Sequence, residues 1–245
     1  MLFRSLSIIT PIYNTPHPYL KKMIQSVTNQ MYNNWELCIV DDSSSDLQVF
    51  EILKRCSAKD LRFKINRNER NLGISLSSNK AARLATGDYL AFVDHDDELT
   101  DDALAHVALF LFENPETDIL YSDQDKIDSA DCVCEPFFKP SWSKYFFLGV
   151  MFVGHLLVVK KDLFAKVGGF DPNFDKIQDY ELVLRLLEVA KNIRHIPKVL
   201  YHWRMAEGSV ALGSEQKTGI GELQVHAVNA YLERQNICGI AKSHP

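Results

Sequence analysis

Short apolar runs alternate with amphipathic stretches through the first half of the chain. Runs rich in β-branched and aromatic residues predict strands, and apolar positions three or four residues apart predict helices. We predict strands at residues 6–10, 35–40, 63–65, 89–93 and 119–121, with helices at 20–30, from about 47, at 73–84 and at 101–113. Pro11 is expected to stop the first strand. The alternation is typical of the α/β class, with a Rossmann-like, mostly parallel central sheet flanked by helices.

The alternation of strand and helix patterns becomes less regular beyond residue 125, which indicates a smaller mixed region after the parallel sheet. There we predict strands at 156–159 and 199–205, and helices at 162–167, 178–190 and 215–234. The longest apolar run, residues 145–159, has fifteen residues and contains His155. A membrane-spanning helix needs about 20 residues. The run is therefore expected to form buried core or an apolar wall of a site, and contact with a membrane surface stays open.

Composition narrows the class of protein further. The 245 residues include 27 Lys and Arg against 32 Asp and Glu, a net charge of −5. This mild acidity disfavours a protein that grips a phosphate backbone, so no nucleic-acid partner is expected. The five cysteines are an odd number and widely scattered. They favour reduced thiols in a cytoplasmic protein over a disulfide framework or a zinc site.

Polar clusters follow three of the predicted strands. Tyr13 and Asn14 come after the first strand, Asp41 and Asp42 after the second, and residues 94–97 after the fourth. In open parallel sheets, ligands bind beyond the carboxyl ends of the strands. The three clusters therefore predict one ligand site at this rim of the sheet.

The sequence Asp94-His95-Asp96-Asp97 places several carboxylates on one short turn. They repel one another unless a cation lies between them, and a hard ion such as Mg²⁺ or Mn²⁺ prefers oxygen ligands. The alternative is an acidic cluster at the start of a helix, where it interacts favourably with the helix dipole. This alternative explains Asp101, at the start of the next predicted helix, better than it explains Asp94, at the end of an apolar strand.

Asp41 and Asp42 end the second strand, where a carboxylate can accept hydrogen bonds from a nucleotide base or ribose. The alternative is a cap for the helix that begins near Leu47, for which Asp46 is the better candidate. Asp123, Asp125 and Lys126 follow the fifth strand, where they line the acceptor side or form an exposed polar turn.

Taken together, these motifs resemble the inverting glycosyltransferases of family 2, which have the GT-A fold. The resemblance covers about residues 6–204. Its motifs are Ile8–Asn14, Val40–Asp46, Asn71–Gly73 with Asn79 and Ala82, Val93–Asp97, Phe152–Val159, Gly168–Asp171 and Gln178–Leu182. The segments Tyr121–Asp128 and Val199–Arg204 are similar to a bacterial subgroup that makes O-antigen and other polysaccharides.

The resemblance implies a role for each matching residue. Asp179 would be the general base, although Gln178 stands where the family often has Glu. Asp96 would be the main metal ligand, and Asp94 would reach the ribose or the metal. His202 is a further candidate ligand, although a lone histidine is often structural. The implied nucleotide contacts are Thr10, Pro11, Tyr13, Asp41, Asp42, Asn71, Gly73, Asn79, Asp94 and Arg204.

The implied reaction moves a sugar from a UDP-, dTDP- or GDP-linked donor to a glycan or lipid-linked glycan acceptor, with Mn²⁺ or Mg²⁺. The resemblance implies a single domain over residues 1–245, which can be part of a longer protein. Its nucleotide-sugar part would span about 1–128, its acceptor part about 129–210 and its C-terminal helix about 215–234. We expect it in the cytoplasm, with peripheral attachment to the inner membrane face left open, as is the oligomeric state.

Two alternatives from other classes are a sugar-1-phosphate nucleotidyltransferase and a non-catalytic module that binds nucleotide-sugars. The first needs a basic, glycine-rich phosphate loop after the first strand, whereas residues 11–16 contain neither glycine nor lysine. A non-catalytic module would keep both its binding and its function in cells when Asp179 is replaced by Asn.

Overall fold

The computed structural model describes residues 4–205 and 219–243. The strands are β1 Leu6–Ile12, β2 Trp35–Asp41, β3 Phe63–Arg67, β4 Tyr89–Phe92, β5 Glu98–Leu99, β6 Ile119–Ile127, β7 Val133–Phe137, β8 Leu157–Lys160 and β9 Ile193–Arg204. The helices are α1 His17–Thr28, α2 Leu47–Lys59, α3 Ile74–Leu84, α4 Ala103–Glu113, α5 Lys144–Gly149, α6 Lys161–Lys166, α7 Gln178–Leu186 and α8 Ile220–Arg234. A 3-10 turn spans Pro172–Phe174. The predicted start of the last helix, residues 215–218, lies outside the described residues.

All of these strands join one sheet, in the order β3-β2-β1-β4-β8-β6-β9-β5, with β7 paired to β6. Strands β3, β2, β1 and β4 are parallel. From β8 onwards the sheet is mixed, because β8 runs antiparallel to both β4 and β6, whereas β9 runs parallel to β6. The structure confirms the predicted α/β fold with a parallel sheet and a mixed region.

Helices cover both faces of the sheet. Buried residues of α1, α2 and α4 pack on one face, among them Leu20, Met23, Val49, Leu53, Leu104 and Val107. Buried residues of α3, α7 and α8 pack on the other, among them Ala81, Ala82, Leu182, Val183, Val228 and Tyr231. Each fully buried aliphatic side chain stabilises the fold by about 1.5–3 kcal/mol. Asp46 caps α2 as predicted, since its carboxylate accepts a hydrogen bond from the backbone N–H of Gln48 at 2.9 Å.

The prediction that Pro11 ends the first strand is wrong. β1 continues to Ile12, with Pro11 opposite Val40 of β2. The pairing of β1 with β4 stops at Ile9. Pro11 faces that open side, so its missing N–H removes no ladder hydrogen bond.

Of the two alternatives for Asp123, Asp125 and Lys126, the exposed polar turn is wrong, because β6 extends beyond the predicted end at residue 121 to Ile127. Asp123 and Asp125 are buried within this strand. Their carboxylates contact His195 at 2.7 Å and His202 at 2.5 Å, both on the neighbouring β9. These polar side chains have partners, so their burial is not prohibitive.

The apolar run at residues 145–159 contributes to the core, as predicted. Phe147, Phe152 and Val153 are buried, whereas Tyr145 and Val150 are exposed. Among the described residues, no helix combines the length and apolar character that crossing a membrane requires.

Candidate active site

The loops after β1 and β2 are tied together at the carboxyl rim of the sheet. The backbone N–H of Asn14 donates to the Ser44 hydroxyl at 2.9 Å, and the backbone N–H of Ser45 donates to the Asn14 side chain at 2.9 Å. A cavity of about 310 Å³ opens between these loops, lined by Asn14, Thr15, Pro16, His17, Pro18, Ser45 and Asp46. Tyr13 stands beside it with 47% of its surface exposed. The rim therefore offers a cavity and an accessible aromatic ring.

Asp42 organises the segment that leads into α3. Its carboxylate accepts hydrogen bonds from the Asn68 side chain at 2.7 Å, the Leu72 N–H at 2.8 Å and the Gly73 N–H at 2.9 Å. Gly73 has φ +89°, and a Cβ there would lie 2.6 Å from an Asp175 oxygen. The predicted contacts of Asp42 and Gly73 with a nucleotide stay predictions, and the structure adds a role in shaping the loop.

Other predicted nucleotide contacts have different surroundings. Thr10 is fully buried, and its hydroxyl has no hydrogen-bond partner. Asp41 is buried too, where it accepts from the Ser44 N–H at 3.0 Å and lies 3.1 Å from Arg67. Asn79 forms two hydrogen bonds of 2.8 Å with the backbone of Phe170. Asn79 thereby holds the turn before α7.

Two further predicted contacts lie closer to the surface. The side-chain oxygen of Asn71 lies 3.2 Å from the backbone nitrogen of Gly73. Pro11 is half-buried.

The acidic turn after β4 is anchored by β9. The Tyr201 hydroxyl donates to Asp97 at 2.6 Å and accepts from the Asp94 N–H at 3.1 Å. The Arg204 N–H donates to the other Asp97 oxygen at 2.7 Å. Burial, together with the charges of Asp96 and Asp94, raises the pKa of Asp97 well above its usual range. Burial also raises the pKa of Asp96, with Asp94 adding to the effect. The turn thus concentrates negative charge that its surroundings only partly offset.

His155 brings a nitrogen to this turn from the loop before β8. Its Nε2 lies 3.7 Å from an Asp94 oxygen, and its ring stacks on Tyr201 with the centroids 4.8 Å apart. One ligand atom each from Asp94, Asp97 and His155 lie within 4.8 Å of one another. Two carboxylates and an imidazole are a donor set that suits a transition-metal ion such as Mn²⁺. The cluster contains the predicted ligand Asp94, but it has Asp97 and His155 in place of Asp96 and His202.

His202 lies on the opposite face of β9 from Tyr201, since successive residues of a strand point to opposite faces. His202 contacts Asp125 and lines a separate cavity of about 520 Å³ with Lys22 and Glu98, among others. The Arg204 guanidinium is buried and pairs with Glu98 and with Asp131. The Arg204 Nε also donates to the Asp96 carbonyl at 2.9 Å, so this side chain contacts the acidic turn. The roles of His202 in metal binding and of Arg204 in diphosphate binding stay predictions.

Asp179 is the second residue of α7, and its carboxylate accepts a hydrogen bond from the Tyr180 N–H at 2.8 Å. Burial raises its pKa; His155 acts in the opposite direction, and the charge of Asp94 adds to the rise. Asp179, His155 and Asp94 therefore act on one another across the same site. A carboxylate with a raised pKa beside a group of cation ligands is suited to proton abstraction.

The chain belongs to glycosyl transferase family 2. Residues 7–157, which include β1, β2, β4 and the acidic turn, match the sequence model of the family described as "Glycosyl transferase family 2".

Two relatives extend the match beyond these residues. The protein named "Uncharacterized protein y4gI" of Sinorhizobium fredii (strain NBRC 101917 / NGR234) is 38% identical over 94% of this chain and 25% of its own length. The "O-antigen biosynthesis protein RfbC" of Myxococcus xanthus is 34% identical over 90% of this chain and 18% of its own length. The chain thus spans a quarter or less of these two relatives.

A solved structure shares this fold. The crystal structure of S. aureus TarS 1-349 in complex with UDP-GlcNAc matches 93% of this chain and 66% of that one, with a TM-score of 0.76 and 20% identity. At this identity the likeness establishes the shared fold.

The sequence placed Asp97 in the acidic turn that predicts a cation, but the family motif assigned the metal to Asp94 and Asp96, and His155 was not among the candidate ligands. His155 carried a signal, because it is a polar residue next to Gly154 inside an apolar run. Its meaning depends on the approach of β8 to β4, which brings that loop to the acidic turn.

Proposed function

We propose that the chain is an inverting, metal-dependent glycosyltransferase that moves a sugar from a nucleotide-diphospho-sugar to a hydroxyl group of a glycan. The observation that carries the proposal is the grouping of Asp179, His155 and Asp94 at the sheet rim of a family 2 chain. The names of RfbC and of an Escherichia coli chondroitin synthase, 27% identical over 227 residues, support a role in polysaccharide synthesis.

Asp179 is the proposed general base. Inversion needs an in-line displacement at the anomeric carbon, with a base that takes the proton of the attacking hydroxyl. Such a base contributes typically 10²–10⁴-fold to the rate. Its raised pKa makes the carboxylate more basic than an exposed one. No second carboxylate is needed as a nucleophile, in contrast to a retaining glycosidase.

Asp94, Asp97 and His155 are the proposed ligands of a divalent cation, with Asp96 beside them. Their fit to an ion rests on the short distances among their ligand atoms and on the Asp97 carboxylate, whose pKa is raised by burial and by the charges of Asp96 and Asp94. A bound Mn²⁺ or Mg²⁺ supplies Lewis-acid stabilisation of charge on the departing nucleotide diphosphate. A cation at this position would stabilise the charged form of Asp97, which burial and the neighbouring charges disfavour.

The donor is proposed to lie across the rim, with its base near Tyr13 and the cavity between the first two loops. A complex of TarS with UDP-GlcNAc supports a UDP-sugar, and dTDP- and GDP-sugars remain candidates. The acceptor is proposed to be a glycan or lipid-linked glycan, handled by about residues 129–210 on the cytoplasmic side of the membrane. The whole chain, residues 1–245, is proposed to form one catalytic domain.

The test is a donor-hydrolysis and transfer screen with UDP-, dTDP- and GDP-sugars, with Mn²⁺, Mg²⁺ or EDTA. We expect Asp179→Asn to bind the donor but to release nucleotide at least 100-fold more slowly than the unmodified chain. The matched control is Asp162→Asn, since Asp162 is an exposed acid in the first turn of α6.

Two outcomes would contradict the proposal. Near-normal turnover by Asp179→Asn would remove Asp179 from the mechanism. Binding of a nucleotide-sugar by the unmodified chain, with no turnover of any donor, would favour a non-catalytic module.

A further inference from the structure

A lysine is buried behind the segment that carries His155. Lys139 follows β7, and only 6% of its surface is exposed to solvent. Its ammonium donates hydrogen bonds to the carbonyl oxygens of Val153, at 2.6 Å, and His155. Its own backbone N–H donates to Asp123 of β6 at 2.8 Å. Burying an ammonium group is costly unless hydrogen bonds satisfy it, so these carbonyl contacts fix its position.

The segment that Lys139 holds has an irregular backbone. Gly154 has φ +44°, and a Cβ there would lie 2.6 Å from the side-chain oxygen of Gln124. That oxygen accepts from the His155 N–H at 2.9 Å, and the Ser122 hydroxyl lies 3.4 Å from the Leu156 nitrogen. Side chains of β6 and Lys139 therefore satisfy backbone groups that a sheet partner would otherwise satisfy.

The side chain of His155 projects from this segment into the active site. It stacks on Tyr201, meets Trp203 edge-on with the centroids 5.8 Å apart, and approaches Asp94 to 3.7 Å. The ring is confined by aromatic contacts, whereas its backbone is held by Lys139. A displacement of the backbone would move the imidazole relative to both Asp94 and Asp179.

We propose that Lys139 is a positioning residue, which holds the carbonyls of Val153 and His155 and so fixes the imidazole of His155 at the reaction centre. The inference rests on the proposed function, since His155 acts there beside the base and the metal ligands. In this role the side chain of Lys139 affects the rate through His155.

The test is a double-mutant cycle on donor turnover with Lys139→Met, His155→Ala and the two combined. We expect Lys139→Met to lower kcat/KM at least tenfold and to change kcat and KM in the same directions as His155→Ala. The combined variant should be no slower than His155→Ala alone, because a contact that acts through His155 has no effect once the imidazole is gone.

Two further variants separate positioning from general stability. Lys139→Gln retains N–H donors for the carbonyls and should recover part of the lost rate. Lys161→Met removes a comparable contact, in which the lysine ammonium donates to the Ala85 carbonyl at 2.7 Å outside the site. It should leave kcat/KM within twofold of the unmodified value.

Multiplicative losses in the combined variant, or an undiminished rate in Lys139→Met, would overturn the proposal. Should Lys139→Met fail to fold by circular dichroism, Lys139→Gln takes its place in the cycle with the same criterion. Failure of the proposed function is recognised separately, since the unmodified chain would then turn over no donor.

Discussion

Carboxylates at opposite ends of the same sheet have opposite surroundings. Glu36, at the start of β2, accepts hydrogen bonds from the Ser7 hydroxyl at 2.7 Å and the Thr86 hydroxyl at 2.8 Å, and pairs with Lys64 at 2.5 Å. Burial acts to raise its pKa, but these donors outweigh it and lower the pKa to about 2. At the carboxyl rim, burial prevails and the pKa values of Asp97 and Asp179 are raised.

The difference shows which end of the sheet serves stability. Glu36 has enough donors that its charge stabilises the fold, whereas burial disfavours the charged forms of Asp97 and Asp179. Strongly perturbed acids with too few partners gather at functional sites more often than elsewhere. The rim groups are therefore the ones whose removal should impair function, and Glu36 the one whose removal should impair folding.

Among the tests that compare the two ends of the sheet, the largest effect is expected from Asp94→Asn. We expect it to weaken Mn²⁺-dependent binding of UDP on the order of 100-fold, because a metal contact is worth several kcal/mol. Isothermal titration calorimetry with Mn²⁺ and with EDTA measures the effect, and Asp162→Asn is the control. The geometry favours Asp94 over Asp96 as a ligand, so Asp96→Asn should have the smaller effect; the reverse order would support the assignment from the family motif.

Much of this rim could be predicted from the sequence, because apolar strands that end in Asp are local patterns. Asp94 and Asp179 were found through such patterns and the family motifs around them. Local patterns do not show what a side chain meets across the fold. The contacts of Asp42 with the Leu72 and Gly73 N–H groups, or of His155 with Tyr201, depend on pairs far apart in the chain.

The polar part of β6 shows the same limit for the fold. Asp123 and Asp125 interrupt the apolar pattern, so the strand was expected to end before them. Histidines on β9, more than 70 residues further along the chain, satisfy these carboxylates and allow the strand to continue. A strand stabilised by buried polar pairs has no hydrophobic periodicity by which to recognise it.

A smaller effect is expected from Glu36→Gln, which tests the stabilising end of the sheet. The folded-state pKa lies below the unfolded value, so the charge stabilises the fold above about pH 4.5 and the benefit disappears as the pH falls toward 2. We expect a loss of about 2 kcal/mol in the free energy of unfolding at pH 7, after allowance for solvent screening. Urea denaturation at pH 7 and pH 3 measures it.

Glu51→Gln is the control for that measurement, since Glu51 is an exposed acid on α2 that pairs with Lys54. It should leave the unfolding curve unchanged. An equal loss for Glu36→Gln at both pH values would show that the carboxylate charge is not what stabilises this end, and unchanged donor turnover is expected for both variants.

The smallest effect, about tenfold per pH unit, is expected in the pH dependence of donor turnover. This measurement compares Asp179 at the rim with Glu36 at the other end of the sheet in the unmodified chain. The base must be ionised, so the rate should fall tenfold per unit below the raised pKa of Asp179. Protonation of this buried carboxyl relieves its desolvation, so it does not destabilise the fold, and Glu36 is still charged in that range. Initial rates at saturating Mn²⁺ should therefore decline at a higher pH than the circular dichroism signal. An activity midpoint near 3.9, the value for an exposed aspartate, or coincident loss of rate and structure, would contradict the raised pKa at the rim.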